Sequence, residues 1–251
     1  MAFGATQRAG SYAQARYRRG LRNWRSRSRP LLALFFGPFL LGGVAGLVVV
    51  GDVAAWLAGV AFGLGLGVWM VMRESPPAYI ENWQVGAEGE RKTERALARL
   101  DRSRWLVVHD VQCARGNYDH IVVSRAGVFL LETKNLRGTV EIRDGVLRLQ
   151  RRLDPQEDKP CPWVRSSALA RAASLNAEIQ QLAGHRPWVQ AVVVLWSDFN
   201  EGVYEDERCV VVHGSRLHEW LNDRPDMLDE KAASDIRAAI HVIANRQTIL
   251  E

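Results

Sequence analysis

Two uncharged stretches set the strongest limit on how this chain folds. Leu31 to Val50 reads LLALFFGPFLLGGVAGLVVV, and Val53 to Met72 reads VAAWLAGVAFGLGLGVWMVM, with only Gly51 and Asp52 between them. Each run holds twenty residues, and a helix of that length rises about 30 Å, the thickness of a bilayer's hydrocarbon core. The economical expectation is a transmembrane helical hairpin over residues 31–73 with its polar turn at the far surface. A cleaved signal peptide is too short to account for it, and burying forty apolar residues on all faces inside a soluble core would need more protein than the rest of the chain supplies. Gly59, Gly63 and Gly67, with Ala55 one step earlier, make one smooth helix face on which a second helix, from the same chain or from a homodimer partner, can approach closely.

Charge gives the orientation. Met1 to Pro30 contains eight Arg and no acid, whereas the whole chain carries a net charge of only +5, so everything beyond the tail is slightly acidic. The positive-inside rule keeps residues 1–30 as a basic cytoplasmic tail, and two spans bring the chain back to the same side. The expected location is the inner (cytoplasmic) membrane, with both termini and the folded domain in the cytosol. A short linker over 74–83, broken by Ser75-Pro76-Pro77, leads into a single domain over 84–251. Three widely spaced cysteines, Cys113, Cys161 and Cys209, suggest neither a zinc ribbon nor a disulfide framework.

Within that domain, Val85 to Leu100 has helical spacing, with Gly86, Gly89, Glu90, Thr93 and Leu97 on one stripe. Strands are predicted over Trp105–Val111, His120–Ser124 and Val128–Thr133, the last two joined as a hairpin, and over Thr139–Ile142 and Val146–Gln150 around Asp144-Gly145. A loop over Asp154–Trp163, a helix over Ser166–Leu182, strands over Trp188–Trp196 and Arg208–His213, and two closing helices complete the order. The predicted order is α-β-β-β, a hairpin, then α-β-β-α-α, that of an α/β chain.

Chemistry concentrates at one end of the first hairpin. Glu132 and Lys134 share a sheet face by strand alternation. Asp119 falls opposite Glu132 if the turn is centred on Arg125 and Ala126, unless a bulge at Gly127 shifts the register. Two carboxylates so placed repel each other unless a cation lies between them, and Mg²⁺ suits oxygen ligands. Glu90 adds a third carboxylate, because it lies on the apolar stripe of its helix, where an unpaired charge is costly. Such a cluster fits metal-assisted hydrolysis of a phosphodiester, with Lys134 positioning the attacking water or stabilising the phosphate.

The run Gly86-Ala87-Glu88-Gly89-Glu90, the strand Asp119-His120-Ile121-Val122-Val123, Gly127-Val128-Phe129, and Glu132-Thr133-Lys134-Asn135 with Gly138 resemble the nuclease-related domain family, usually called NERD. That family is similar in turn to the PD-(D/E)XK restriction-endonuclease-like superfamily. The resemblance covers about residues 84 to 221. It implies a restriction-endonuclease-like fold, with a mixed central sheet flanked by helices, and a Mg²⁺-dependent nuclease, Mn²⁺ serving as substitute, with DNA preferred to RNA. It further implies that Glu90, Asp119 and Glu132 are metal ligands and that Lys134 is the catalytic lysine. Tyr118 replaces the Pro of the superfamily's name, and Ser166 to Arg171 stands where many relatives carry a Gln that bears on substrate binding, with Arg171 either its substitute or a solvated helix residue.

Residues 113–171 hold eleven Lys and Arg against seven acids, which places the positive face near the proposed site. Arg115, Arg137, Arg151, Arg152 and Lys159 are the candidates for nucleic-acid phosphates. His120 alternates away from Asp119, so packing competes with ligation there. No Walker loop and no strand-linked G-x-G-x-x-G occurs, so no nucleotide cofactor is expected. Two alternatives share the same residues: a module that grips nucleic acid without cutting it, and a membrane-tethered protein-interaction module whose carboxylates are tied up with Lys134.

Overall fold

A computed structural model describes residues 8–49, 52–113, 116–151 and 154–246. The chain divides into two compact units, Ala13–Gln84 and a larger one made of Met1–Tyr12 with Val85–Glu251.

The smaller unit is helical. Helix α1 spans Ser11–Val49, α2 spans Asp52–Glu74, and α3, Ala78–Leu97, begins in this unit and ends in the other. Helix α1 thus starts at Ser11 rather than Leu31, because the Arg-rich segment continues into the apolar run as one helix. Among the described residues, no helix is long and apolar enough to cross a membrane. The expected pair of spans is therefore not seen there; most side chains between residues 31 and 55 lie outside the described ones. On α2 the described apolar side chains Trp56, Leu57, Leu64 and Val71 are exposed. Gly63 and Gly67, with Leu64, Val68 and Val71, line a shallow apolar groove of about 370 Å³. Ile80 is fully buried, within van der Waals reach of the position a side chain at Gly20 would take.

The larger unit is built on a mixed sheet. Its strands are β1 (Leu106–Cys113), β2 (Gly116–Ser124), β3 (Gly127–Lys134), β7 (Val189–Leu195), β10 (Cys209–His213) and β9 (Val203–Glu205), in the order β1-β2-β3-β7-β10-β9. The β1/β2, β2/β3 and β9/β10 pairs are antiparallel, whereas β3/β7 and β7/β10 are parallel. A second sheet of β4 (Thr139–Arg143), β5 (Val146–Arg151), β6 (Asp154–Pro160) and β8 (Asp198–Phe199) runs in the order β6-β5-β4-β8. Helices α4 (Pro162–Ala183), α5 (Leu217–Asn222) and α6 (Glu230–Asn245) complete the domain.

Burial explains this layering. β7 is covered on both faces, with Ala191 to Leu195 all fully buried, as a near-continuous apolar strand in a parallel pair requires. On one face Val128, Leu130 and Val193 pack with Val164, Ala168, Leu175 and Ile179 of α4 and Ile236 and Ile240 of α6. On the other, Phe129, Leu131 and Val192 pack with Leu97 of α3 and Leu217, Trp220 and Leu221 of α5. Strand alternation then carries Glu132 and Lys134 onto the face covered by α4.

The second sheet corrects the sequence reading of residues 154–163. Three prolines suggest a loop there, but Asp154–Pro160 pairs with β5 as the sheet's edge strand, where a residue lacking an N–H is tolerated. A register shift between Gln150 and Arg151 marks the irregularity. Pro162 then occupies the first turn of α4, which lets the helix start four residues earlier than its apolar spacing predicts. All three cysteines are free thiols.

Candidate functional site

The β2/β3 hairpin sets the site's frame. Its ladder runs from Ser124↔Gly127 to His120↔Leu131 with no shift, so the continued register puts Asp119 opposite Glu132. The β1/β2 ladder pairs His109 with His120 and Val111 with Tyr118, which puts Asp110 opposite Asp119. Three carboxylates therefore lie in one row across three adjacent strands. All are buried, Glu132 most completely at 1% exposure.

Each is held differently. Asp119 Oδ2 accepts a hydrogen bond from the Thr133 amide at 2.9 Å. Asp110, whose backbone is left-handed at φ 51°, accepts from Asn117 Nδ2 at 2.8 Å and from the Tyr12 amide at 2.7 Å, and the Ser11 hydroxyl also donates to it. The start of α1 thus caps a strand of the larger unit, with its N-terminal amide and hydroxyl turned to an anion.

Glu90 reaches the row from α3. The helix is fastened to the end of β3: Thr93 and Thr133 hydroxyls meet at 3.0 Å, Asn135 Nδ2 donates to the Val85 carbonyl at 3.0 Å, and Trp196 Nε1 donates to Thr93 at 2.8 Å. Gly89 permits this approach, since a Cβ there would stand 2.8 Å from Asn135 Cβ. Glu90 is 8% exposed, and its Oε2 is buried without a hydrogen-bond partner. Burial, and then the charges of Asp119 and Asp110, push its carboxyl up to about 9. Asp119 is pushed up to about 7 by burial and by Glu132, against the pull of Lys134, the Thr133 amide and Arg171. Carboxyls crowded in this way gain from any added cation.

Two cations already stand at Glu132. Lys134 Nζ lies 3.2 Å from Oε2, and Arg171 Nη1 of α4 lies 2.8 Å from Oε1 and 3.9 Å from Asp119 Oδ1. The Arg171 approach lacks hydrogen-bond alignment at Glu132, so it acts there as a charge contact, while the same nitrogen donates to the Asn117 carbonyl. Lys134 Nζ also sits 5.8 Å from the ring centre of the half-exposed Trp163. Among the described residues, no group of three or more His, Cys, Asp or Glu is placed to hold a metal ion. The donor chemistry nevertheless fits a hard divalent ion, because the carboxylates offer oxygen alone and Glu90 Oε2 has no partner.

The four residues expected to act chemically, Glu90, Asp119, Glu132 and Lys134, come together, each within one salt bridge or one strand position of another, or electrostatically coupled to it. The expected phosphate contacts are more dispersed. Arg137 is exposed just past β3, and Lys159 is exposed on the edge strand β6. Arg115 and Arg152 lie outside the described residues, as does the side chain of Arg151. Neighbouring basic residues on the second sheet are paired, Arg143 with Glu141 at 2.6 Å and Arg148 with Asp158 at 3.0 Å, which weakens the local positive field.

Asp110 and Asn117 escape the sequence reading. Counting back through the β1/β2 ladder from His109↔His120 would have found Asp110. His120 itself is a packed core residue: its Nδ1 meets His109 Nδ1 at 2.7 Å. Burial holds both rings below the usual histidine range, His109 at about 4, so one proton shared between two neutral rings satisfies the contact.

Residues 85–196 match the family model described as NERD, nuclease-related domain, and a nuclease-related domain is found there. Glu90, Asp119, Glu132, Lys134 and Arg171 all fall inside the match. An uncharacterized protein of Bacillus anthracis is 34% identical over 67 residues, 25% of this chain and 31% of that protein, so the chain spans under a third of this relative's length. No solved structure matches the chain.

Proposed function

We propose that the nuclease-related domain hydrolyses phosphodiester bonds of nucleic acid, DNA in preference to RNA, with Mg²⁺ or Mn²⁺ as cofactor. The observation that carries this reading is the convergence of Glu90, Asp119 and Glu132 from α3, β2 and β3 beside Lys134. Asp119 and Glu132 would hold the ion, with Glu90 as a third oxygen donor. When bound, Mg²⁺ supplies Lewis acidity and a more acidic water. Lys134, steered by Glu132 on one side and the Trp163 ring on the other, offers its ammonium to a phosphate oxygen or the attacking water. Asp119 is oriented by the Thr133 amide, so its second oxygen faces the site.

The full chain, purified in detergent, would be incubated with labelled single- and double-stranded DNA and RNA under Mg²⁺, Mn²⁺ or EDTA. Metal-dependent cleavage of DNA is the expected result. Binding without cleavage would transfer the reading to a non-catalytic nucleic-acid module, which the engagement of both Glu132 oxygens by cations favours. Neither binding nor cleavage would overturn both and favour protein interaction.

A membrane tether is also proposed, on the two apolar runs and the exposed Trp56, Leu57, Leu64 and Val71 of α2. A homodimer through the Gly59/Gly63/Gly67 face is a natural extension. The tagged protein should stay in the membrane fraction after an alkaline carbonate wash, and release into the supernatant would remove the tether from the account.

A further inference from the structure

The geometry points to Arg171 as a resident cation that competes with the divalent ion for the Asp119/Glu132 pair, an inference that rests on the metal-dependent reading above. Glu132 has two carboxylate oxygens, and both are engaged: Oε2 by Lys134 at 3.2 Å and Oε1 by Arg171 at 2.8 Å. A Mg²⁺ ion binds oxygen at about 2.0–2.1 Å and demands a near-octahedral shell. A guanidinium charge 2.8 Å from Glu132 Oε1 repels such an ion and takes up part of the carboxylate charge it would use.

Arg171 is the one built to move. Its nitrogen stands between the two carboxylates, 3.9 Å from Asp119 as well as 2.8 Å from Glu132, and so answers the same two charges that a divalent ion would use. Its side chain is 30% exposed against 20% for Lys134, and it lies on α4 rather than on the strand that carries Glu132. The same nitrogen also donates to the Asn117 carbonyl, so Glu132 is not its sole partner. Lys134 is confined by its place two residues along β3 and by the Trp163 ring. The guanidinium offsets the repulsion between Asp119 and Glu132, and a divalent ion held by that pair would take over this role and leave the guanidinium available to an incoming phosphate.

Mn²⁺ binding to the full chain in detergent would be followed by titration calorimetry and by melting temperature, for the wild type, Arg171→Gln, Arg171→Lys and Asp119→Asn with Arg171→Gln. Arg171→Gln should bind Mn²⁺ at least tenfold more tightly than the wild type. It should melt lower in EDTA and gain more from Mn²⁺. Arg171→Lys, charged but too short to bridge both carboxylates, should lie between and serves if the Gln variant folds poorly. The double variant should lose the gain. Equal or weaker Mn²⁺ affinity in Arg171→Gln and Arg171→Lys would overturn the competition and leave metal dependence standing. Absence of Mn²⁺ binding in every protein would overturn the metal-dependent reading itself, and the competition with it.

Discussion

On the nuclease reading proposed above, Glu132→Gln will lower metal-dependent cleavage by about 10²–10³-fold, the loss that follows removal of one preorganised electrostatic group from a transition-state site. The substitution keeps the volume of a side chain that is 1% exposed, so the core around Leu130 and Val193 is undisturbed. It removes the charge that engages Lys134 and Arg171 and that, on the proposed reading, would hold the metal. Breaking a fully buried ion pair costs about 3–5 kcal/mol, but Lys134 and Arg171 are 20% and 30% exposed and can turn to water. The structural cost should therefore fall well below that range. Single-turnover cleavage of a labelled duplex and melting in EDTA separate the two effects: activity within tenfold of the wild type would remove Glu132 from the chemistry.

Gly138→Ala will destabilise the larger unit by about 2–4 kcal/mol, through strain at a residue with no relaxed alternative. Gly138 has φ 145°, and a Cβ there would overlap the Gln150 carbonyl oxygen and stand 3.1 Å from its carbon and 3.2 Å from Leu149 Cδ1. The obstacle is backbone of β5, paired to β4 directly after the glycine, so no side-chain rotation relieves it. For a chain of this size, each kcal/mol lowers the melting temperature by about 2–4 °C. Gly184 is the control. It ends α4 in the left-handed conformation at φ 69° and its Cβ would meet nothing, so Gly184→Ala should cost only about 1 kcal/mol. Equal melting of the two variants would show that overlap with Gln150 is absorbed.

The parts of this protein that the sequence reveals are those whose side chains obey one period. β2, β3 and β7 are strongly apolar, and the two-residue turn at Arg125 and Ala126 fixes Asp119 against Glu132 without further information. Glu90 is legible because helical spacing turns it inward. Other features depend on context. Strand β6 carries prolines that only its edge position excuses, and β8 and β9, at two and three residues, are too short to show alternation. Arg171 has two readings, a substitute for the missing Gln or a solvated helix residue, until α4 is laid over the carboxylate row. The seven residues of α3 before Val85 have helical propensity but follow Pro76-Pro77, which suggests a linker.

The bond from the Tyr12 amide to Asp110 ties the beginning of the chain to the carboxylate row, about a hundred positions later. A fragment cut at the Ser75-Pro76-Pro77 break would look complete by domain boundaries, yet it would lack two of the donors that satisfy Asp110. Its row of acids would be left short of hydrogen bonds, and Glu90 would feel a less screened neighbour. The natural unit of assay is therefore set by a helix cap and not by the extent of the nuclease-related domain. Any swap that grafts residues 85–196 onto another anchor has to carry Ser11 and Tyr12 with it or supply their donors anew.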